Sequence, residues 1–133
     1  HGADLILLIV AALDTPELLC LKARADQLGL TCLVEVHQRC EWERIAPLWP
    51  TGSYLLGINN RDLTRMVTRL ETSLELLPLI PPEQAVISES GIRSAGDLRR
   101  LQAAGARGAL IGESLLRQGQ PDETLARWLH DLA

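Results

Sequence analysis

Four short segments set acidic, amide or hydroxyl side chains at the ends of apolar runs: VEVH (34–37), INNRDL (58–63), SESGIRS (88–94) and IGES (111–114). Glu35 lies between Val34 and Val36. A carboxylate there is costly to bury unless it is paired or its pKa rises, and a raised pKa suits a general acid or base near neutrality. An ion-paired carboxylate at a strand end fits the same position. His37 follows at the start of a loop, where a solvated or capping imidazole is the plainer reading. The Asn59 amide can both donate and accept, and the Arg61 guanidinium can hold a carboxylate through two bonds. Asn-Asn-Arg-Asp is also ordinary loop composition, and an Arg61–Asp62 contact would be local. Glu89 stands between Ser88 and Ser90, just before Gly91. Gly91 and Gly112 each open a turn whose backbone N–H groups can approach an anion, with the positive end of a helix behind it. Taken singly, each is equally a tight turn.

The elements that must position these groups are readable as five near-continuous apolar runs: DLILLIVA from Asp4, TCLVEV from Thr31, SYLLGI from Ser53, QAVISE from Gln84 and GALIGE from Gly108. Continuous Leu, Ile and Val, without alternation, is the pattern of parallel strands covered on both faces. Helical patterns lie between them. The first has Thr15 as N-cap, Pro16 in the first turn and Gly29 at C′; the second is CEWERIA, ended by Pro47. LETSLELLPLI forms a third, stopping near Pro81 and Pro82. The fourth is capped by Ser94 with Asp97 as partner and runs from about Ala95 to Gly105. The last starts at Pro121 and sets Leu125, Trp128, Leu129 and Leu132 on one stripe. Five strand–helix units in series predict an α/β fold with a parallel sheet and right-handed crossovers, in one domain spanning residues 1–133. Such folds place their chemistry at the carboxyl ends of the strands, where the four polar segments fall. The two glycine turns occupy the last two units, and (β/α)8 barrels frequently hold a phosphate in the loops after their last two strands.

The chain has 133 residues, 47% of them hydrophobic and 23% charged, which is enough apolar material for a core. Its net charge of −4, with no Lys/Arg-rich cluster, argues against nucleic acid or an anionic membrane as partner. The first apolar run has no basic segment before it and is too short to span a bilayer. Cys20, Cys32 and Cys40 lack metal or redox spacing and read as reduced, buried thiols of a cytoplasmic protein.

Together, LLIVAAL, LVEVH, GINNRDL, VISESGIRS and ALIGESLLR resemble, in order, the carboxy-terminal part of indole-3-glycerol phosphate synthase, a (β/α)8 (TIM) barrel of tryptophan biosynthesis. The resemblance implies that the five units correspond to barrel strands four to eight. It assigns Glu35, Asn59 and Glu89 to the catalytic set, with Glu35 as an acid/base group, and Arg61 and Ser90 to substrate binding. Gly91, Gly112 and Glu113 fall where family backbone amides hold the phosphate, with the Glu113 side chain turned away. The family reaction closes the indole ring of 1-(2-carboxyphenylamino)-1-deoxyribulose 5-phosphate with loss of carbon dioxide and water, without metal or organic cofactor. The family's strand-one glutamate and lysine and its strand-three lysine, the general acid, precede the matched region. The only lysine here is Lys22, on the first expected helix. The expectation is therefore an incomplete barrel, inactive alone, that takes a sugar-phosphate substrate and meets either an amino-terminal barrel half or another copy of itself through open sheet edges. The alternative is a non-catalytic phosphate-binding or interaction fragment. Phosphoribosylanthranilate isomerase shares the glycine turns, but GINNRDL with SESGI is not expected of it.

Overall fold

The computed structural model describes residues 2–62 and 66–132; Leu63, the last residue of INNRDL, lies outside them. Five strands, β1 (Leu5–Ile9), β2 (Thr31–Val36), β3 (Leu55–Asn59), β6 (Val86–Glu89) and β7 (Gly108–Leu110), form one sheet in the order β1-β2-β3-β6-β7. Every pairing in it is parallel. A small antiparallel pair, β4 (Arg61–Asp62) and β5 (Val67–Thr68), rises from the loop after β3. The crossovers are α1 (Thr15–Gln27), α2 (Arg39–Ile45), α3 (Glu71–Leu76) and α4 (Ala95–Ala103), and α5 (Glu113–Leu116) and α6 (Pro121–Leu132) follow β7. The arrangement is that of five consecutive units of a (β/α)8 barrel, with the sheet left open.

Register assigns the two faces. Alternate residues point to opposite sides, and Leu8, Val34, Leu56, Ile58 and Val86 are all buried, on the side covered by the helices. Burying each such side chain contributes about 1.5–3 kcal/mol. The other face carries Leu5, Leu7, Leu33, Glu35, Gly57, Asn59, Glu89 and Leu110 in register. Here the expectation of burial on both sides needs correction. Leu33 is buried, but Leu5, Leu7 and Leu110 are 41%, 46% and 53% exposed. These three lie on β1 and β7, the edges of the sheet, where among the described residues no further strand curves round to cover them.

Local details depart from the sequence reading in similarly explicable ways. Asp14, not Thr15, caps α1: its carboxylate accepts from the Glu17 N–H at 2.8 Å, and Glu17 Oε2 accepts from the Asp14 N–H at 2.9 Å, a reciprocal capping box. Ser94 caps α4 as expected, but Asp97 accepts from the N–H of Arg93 and not from that of Ser94. Pro78 shortens α3, which tightens into a 3-10 turn over Leu77–Leu79. On α6 the buried residues are Thr124 and Trp128, while Leu125 and Leu129 are exposed. Of the cysteines only Cys32 is buried; Cys20 and Cys40 are exposed. No helix among the described residues is long and apolar enough to cross a membrane.

Candidate active site

The carboxyl ends of β2, β3 and β6 bring three polar side chains together on the open face. Glu35 is next to last in β2, and Asn59 and Glu89 end β3 and β6. Glu35 and Glu89 are 3% and 6% exposed. Asn59 Nδ2 donates to Glu35 Oε2 at 3.3 Å, while its Oδ1 accepts from the Arg61 N–H at 2.9 Å. The two carboxyl groups are neighbours in a buried setting, and Glu35 Oε1 and Glu89 Oε1 are both buried without a hydrogen-bond partner. Burial, then the charge of Glu35, push the Glu89 carboxyl up from 4.5 to about 7. Two buried like charges disfavour double ionisation.

Gly57 makes the pairing possible. It sits opposite Glu35 on β3, and a Cβ placed there would lie 2.1 Å from Glu89 Oε1. The space that a side chain at position 57 would fill is the space through which Glu89 reaches Glu35. Nothing in the local sequence marks this glycine, because its role depends on a side chain from a neighbouring strand.

A second group sits where β3, β6 and β7 end. Ser90 and Gly91 both adopt left-handed backbone, with φ of 65° and 73°. A Cβ at Gly91 would lie 2.6 Å from Thr68 Cγ2, so the hairpin of β4 and β5 rests directly on this turn. A non-glycine residue held at positive φ is a strained feature that persists only where its surroundings fix it. Asn60 supplies much of that fixation. It is 2% exposed, and its Nδ2 donates to Ser88 Oγ at 3.0 Å and to the Ser90 carbonyl at 2.9 Å. Its Oδ1 accepts from the Ser73 N–H at 3.0 Å. Ser88 Oγ lies 2.7 Å from Ser73 Oγ. Ser88 is therefore a buried tie on the helix side of the sheet, whereas Glu89, one residue on, faces the site.

Arg61, Thr68, Ser90, Gly91, Gly112 and Glu113 line a cavity of about 840 Å³ beside this turn. The cavity also receives Arg93 and Arg117, so cationic side chains ring the two glycine turns. A Cβ at Gly112 would meet nothing within 4 Å; the protein leaves that side open. The Glu113 carboxylate, expected to turn away, instead bonds Arg61 Nη2 at 2.6 Å and lies 3.1 Å from Arg117. That hydrogen bond to Arg61, with the charge of Arg117, holds its carboxyl below the usual range.

Two further side chains, His37 and Glu41, join the site. His37 lies with Nε2 3.3 Å from Glu35 Oε1 and Nδ1 3.5 Å from Glu41 Oε2. Glu41, on α2, folds back to accept the His37 N–H at 2.6 Å. A cavity of about 400 Å³, lined in part by His37, Glu41 and Asn59, opens beside them. Lys22, by contrast, is buried on α1 and bonded to Asp26 at 2.7 Å, on the helix layer and away from the strand ends.

The family model for indole-3-glycerol phosphate synthase matches residues 1–128. A protein of that name from Acidithiobacillus ferrooxidans is 50% identical over 130 residues, covering 98% of this chain and 48% of the relative. One from Burkholderia ambifaria is 50% identical over 126 residues, covering 95% and 47%. The chain thus spans about half the length of the curated relatives it matches. Among solved structures, one described as a native KDPGal structure aligns with a TM-score of 0.64 at 21% identity, over 97% of this chain and 58% of that one. The Amycolatopsis orientalis BexX/CysO complex aligns with a TM-score of 0.62 at 18% identity, over 90% and 48%. At such identities these two speak to the fold alone.

Proposed function

The chain belongs to the indole-3-glycerol phosphate synthase family, and from that premise we propose that it forms the carboxy-terminal part of a site that closes the indole ring of 1-(2-carboxyphenylamino)-1-deoxyribulose 5-phosphate. The observation that carries this reading is the buried Glu35–Glu89 pair at the carboxyl ends of β2 and β6, the same end of the sheet that carries the glycine turns. A carboxyl group raised to about 7 is half protonated near neutrality. It can donate to a substrate oxygen while its partner accepts a proton, which is what the closing dehydration demands. Asn59 orients Glu35 through its amide, Arg61 and Ser90 face the substrate, and the backbone N–H groups of Gly91, Gly112 and Glu113 take the phosphate. Residues 1–133 act as one domain, a five-unit portion of a phosphate-binding barrel working in the cytoplasm. Its natural complement is an amino-terminal barrel portion, and without it the open edges favour self-association.

The chain's one lysine is tied to Asp26 on α1, so a lysine acting as general acid for the ketone has to come from the complement. The test uses indole fluorescence on the aminodeoxyribulose phosphate, with the chain alone and then with a separately expressed fragment carrying the first three strand–helix units of a family member. The chain alone is expected to be silent and the mixture active, with Glu35→Gln lowering the mixture's turnover about 10²- to 10⁴-fold. Turnover by the chain alone overturns the assignment of the acid, and a well-folded but inactive mixture overturns the reaction.

A further inference from the structure

His37 is not a settled core histidine. Its side chain is 11% exposed, and both ring nitrogens are buried without a partner in hydrogen-bond geometry. Glu35 Oε1, 3.3 Å from Nε2, is likewise buried and without a bond. A buried polar atom left unbonded costs about 1–3 kcal/mol, and here the unsatisfied atoms face each other. A small rotation of the imidazole would satisfy the pair.

On the other side of the ring the Glu41 carboxylate is fixed by the backbone. Glu41 Oε2 accepts the backbone N–H of His37 at 2.6 Å and stands 3.5 Å from Nδ1. Glu41 Oε1 accepts from Gln38 Nε2 at 3.4 Å. A carboxylate held by the backbone orients an imidazole, and the imidazole faces a second carboxylate; this is the logic by which a third group fixes a catalytic acid or base. The charged groups around the ring are Glu35 and Glu89 from the sheet, Glu41 from α2, and Asp62 and Arg69, which line the same small cavity from β4 and the segment before α3. Of these only Arg69 is cationic, and it is not within ion-pair distance of Glu35.

We propose that His37 is a positioning residue for the carboxylate pair: Glu41 borders the ring at Nδ1, Nε2–H is presented to Glu35 Oε1, and Glu35 is thereby kept as the charged partner of Glu89. The role rests on the reading of Glu35 and Glu89 as an acid–base pair given above, and it fixes which of the two is acid and which is base. Without His37 the Asn59 bond to Glu35 is the hydrogen bond left to distinguish the two carboxyl groups.

The test is made on the chain itself, without substrate, by carboxyl ¹³C and imidazole ¹⁵N NMR across a pH series. In the unmodified chain Nε2 of His37 is expected to carry a proton, with the Glu89 carbon showing the protonated shift near pH 6 and the Glu35 carbon distinct from it. His37→Ala is expected to bring both carbons to intermediate shifts and to raise the pair's titration midpoint by about one pH unit. His37→Gln, whose amide can donate to the same oxygen, should restore most of the asymmetry, a rescue that mere space-filling would not produce. A bare Nε2 in the unmodified chain, or carboxyl titrations unchanged in His37→Ala, overturns the proposal. The ¹⁵N reading needs no variant and so decides even where His37→Ala does not fold. Because no turnover is measured, the placement of His37 stands or falls separately from the reaction proposed above.

Discussion

The side chain with most leverage on pH is Glu89. Burial, with Glu35 alongside, pushes its carboxyl up to about 7 in the folded chain against 4.5 for an ordinary glutamate. Between those values this group binds more protons in the folded state than in the unfolded one, so its contribution to stability is full below about 4.5 and is lost as pH rises to about 7. Glu89→Gln, which keeps a neutral group of the same shape, is expected to flatten that slope; urea midpoints at pH 5 and pH 7.5 check it. An unchanged slope would mean that the pair is ionised in the native protein. Glu35, Asn59 and Glu89 were legible beforehand because each interrupts an apolar run at its carboxyl end. His37, Glu41 and Gly57 were not. Their parts depend on how α2 folds back over β2, and on a carboxylate arriving from another strand, and neither relation leaves a mark in local spacing. Asn60 has the composition of a loop residue, and nothing in the sequence says that two separate segments, Ser88–Ser90 and Ser73, converge on its amide.

At the scale of elements, the hairpin of β4 and β5 is held down by the turn after β6. Gly91→Ala places a Cβ 2.6 Å from Thr68 Cγ2 and puts an alanine at φ of 73°. The left-handed backbone alone costs about 1–2 kcal/mol. The expected result is a lower urea midpoint together with altered amide shifts at Val67 and Thr68. A midpoint shift with an undisturbed hairpin would mean that Thr68 yields without moving its strand. Most elements were foreseeable: all five strands of the sheet and the helices between them follow from run length, proline and glycine. The hairpin was not, since its strands are two residues each, too short for any period to register. The cap of α1 moved by one residue for a similar reason. Asp14 and Thr15 are both competent caps, and only the reciprocal bond with Glu17 decides between them.

Across the whole molecule, the open face and the two unpaired edges are the dominant feature. Leu5, Leu7 and Leu110 leave β1 and β7 apolar on the side that carries the carboxylates. Exposed apolar edges recruit other chains. Sedimentation velocity on the chain alone is expected to show concentration-dependent association that Leu7→Glu reduces, and association unaltered by that change would place the contact elsewhere. The sequence announced a five-unit partial barrel, yet its uniform Leu, Ile and Val runs gave no hint of which face would lie bare, because hydrophobicity records what a strand is suited to meet and not what is present to meet it. The strand order has a further consequence. Since every strand of the sheet lies beside its predecessor among those strands, each new unit needs to close only one crossover to find a partner, and the loop-entropy cost is met in small instalments. The sheet can therefore lengthen unit by unit as the polypeptide leaves the ribosome, with β2 already a template for β3 before β6 exists.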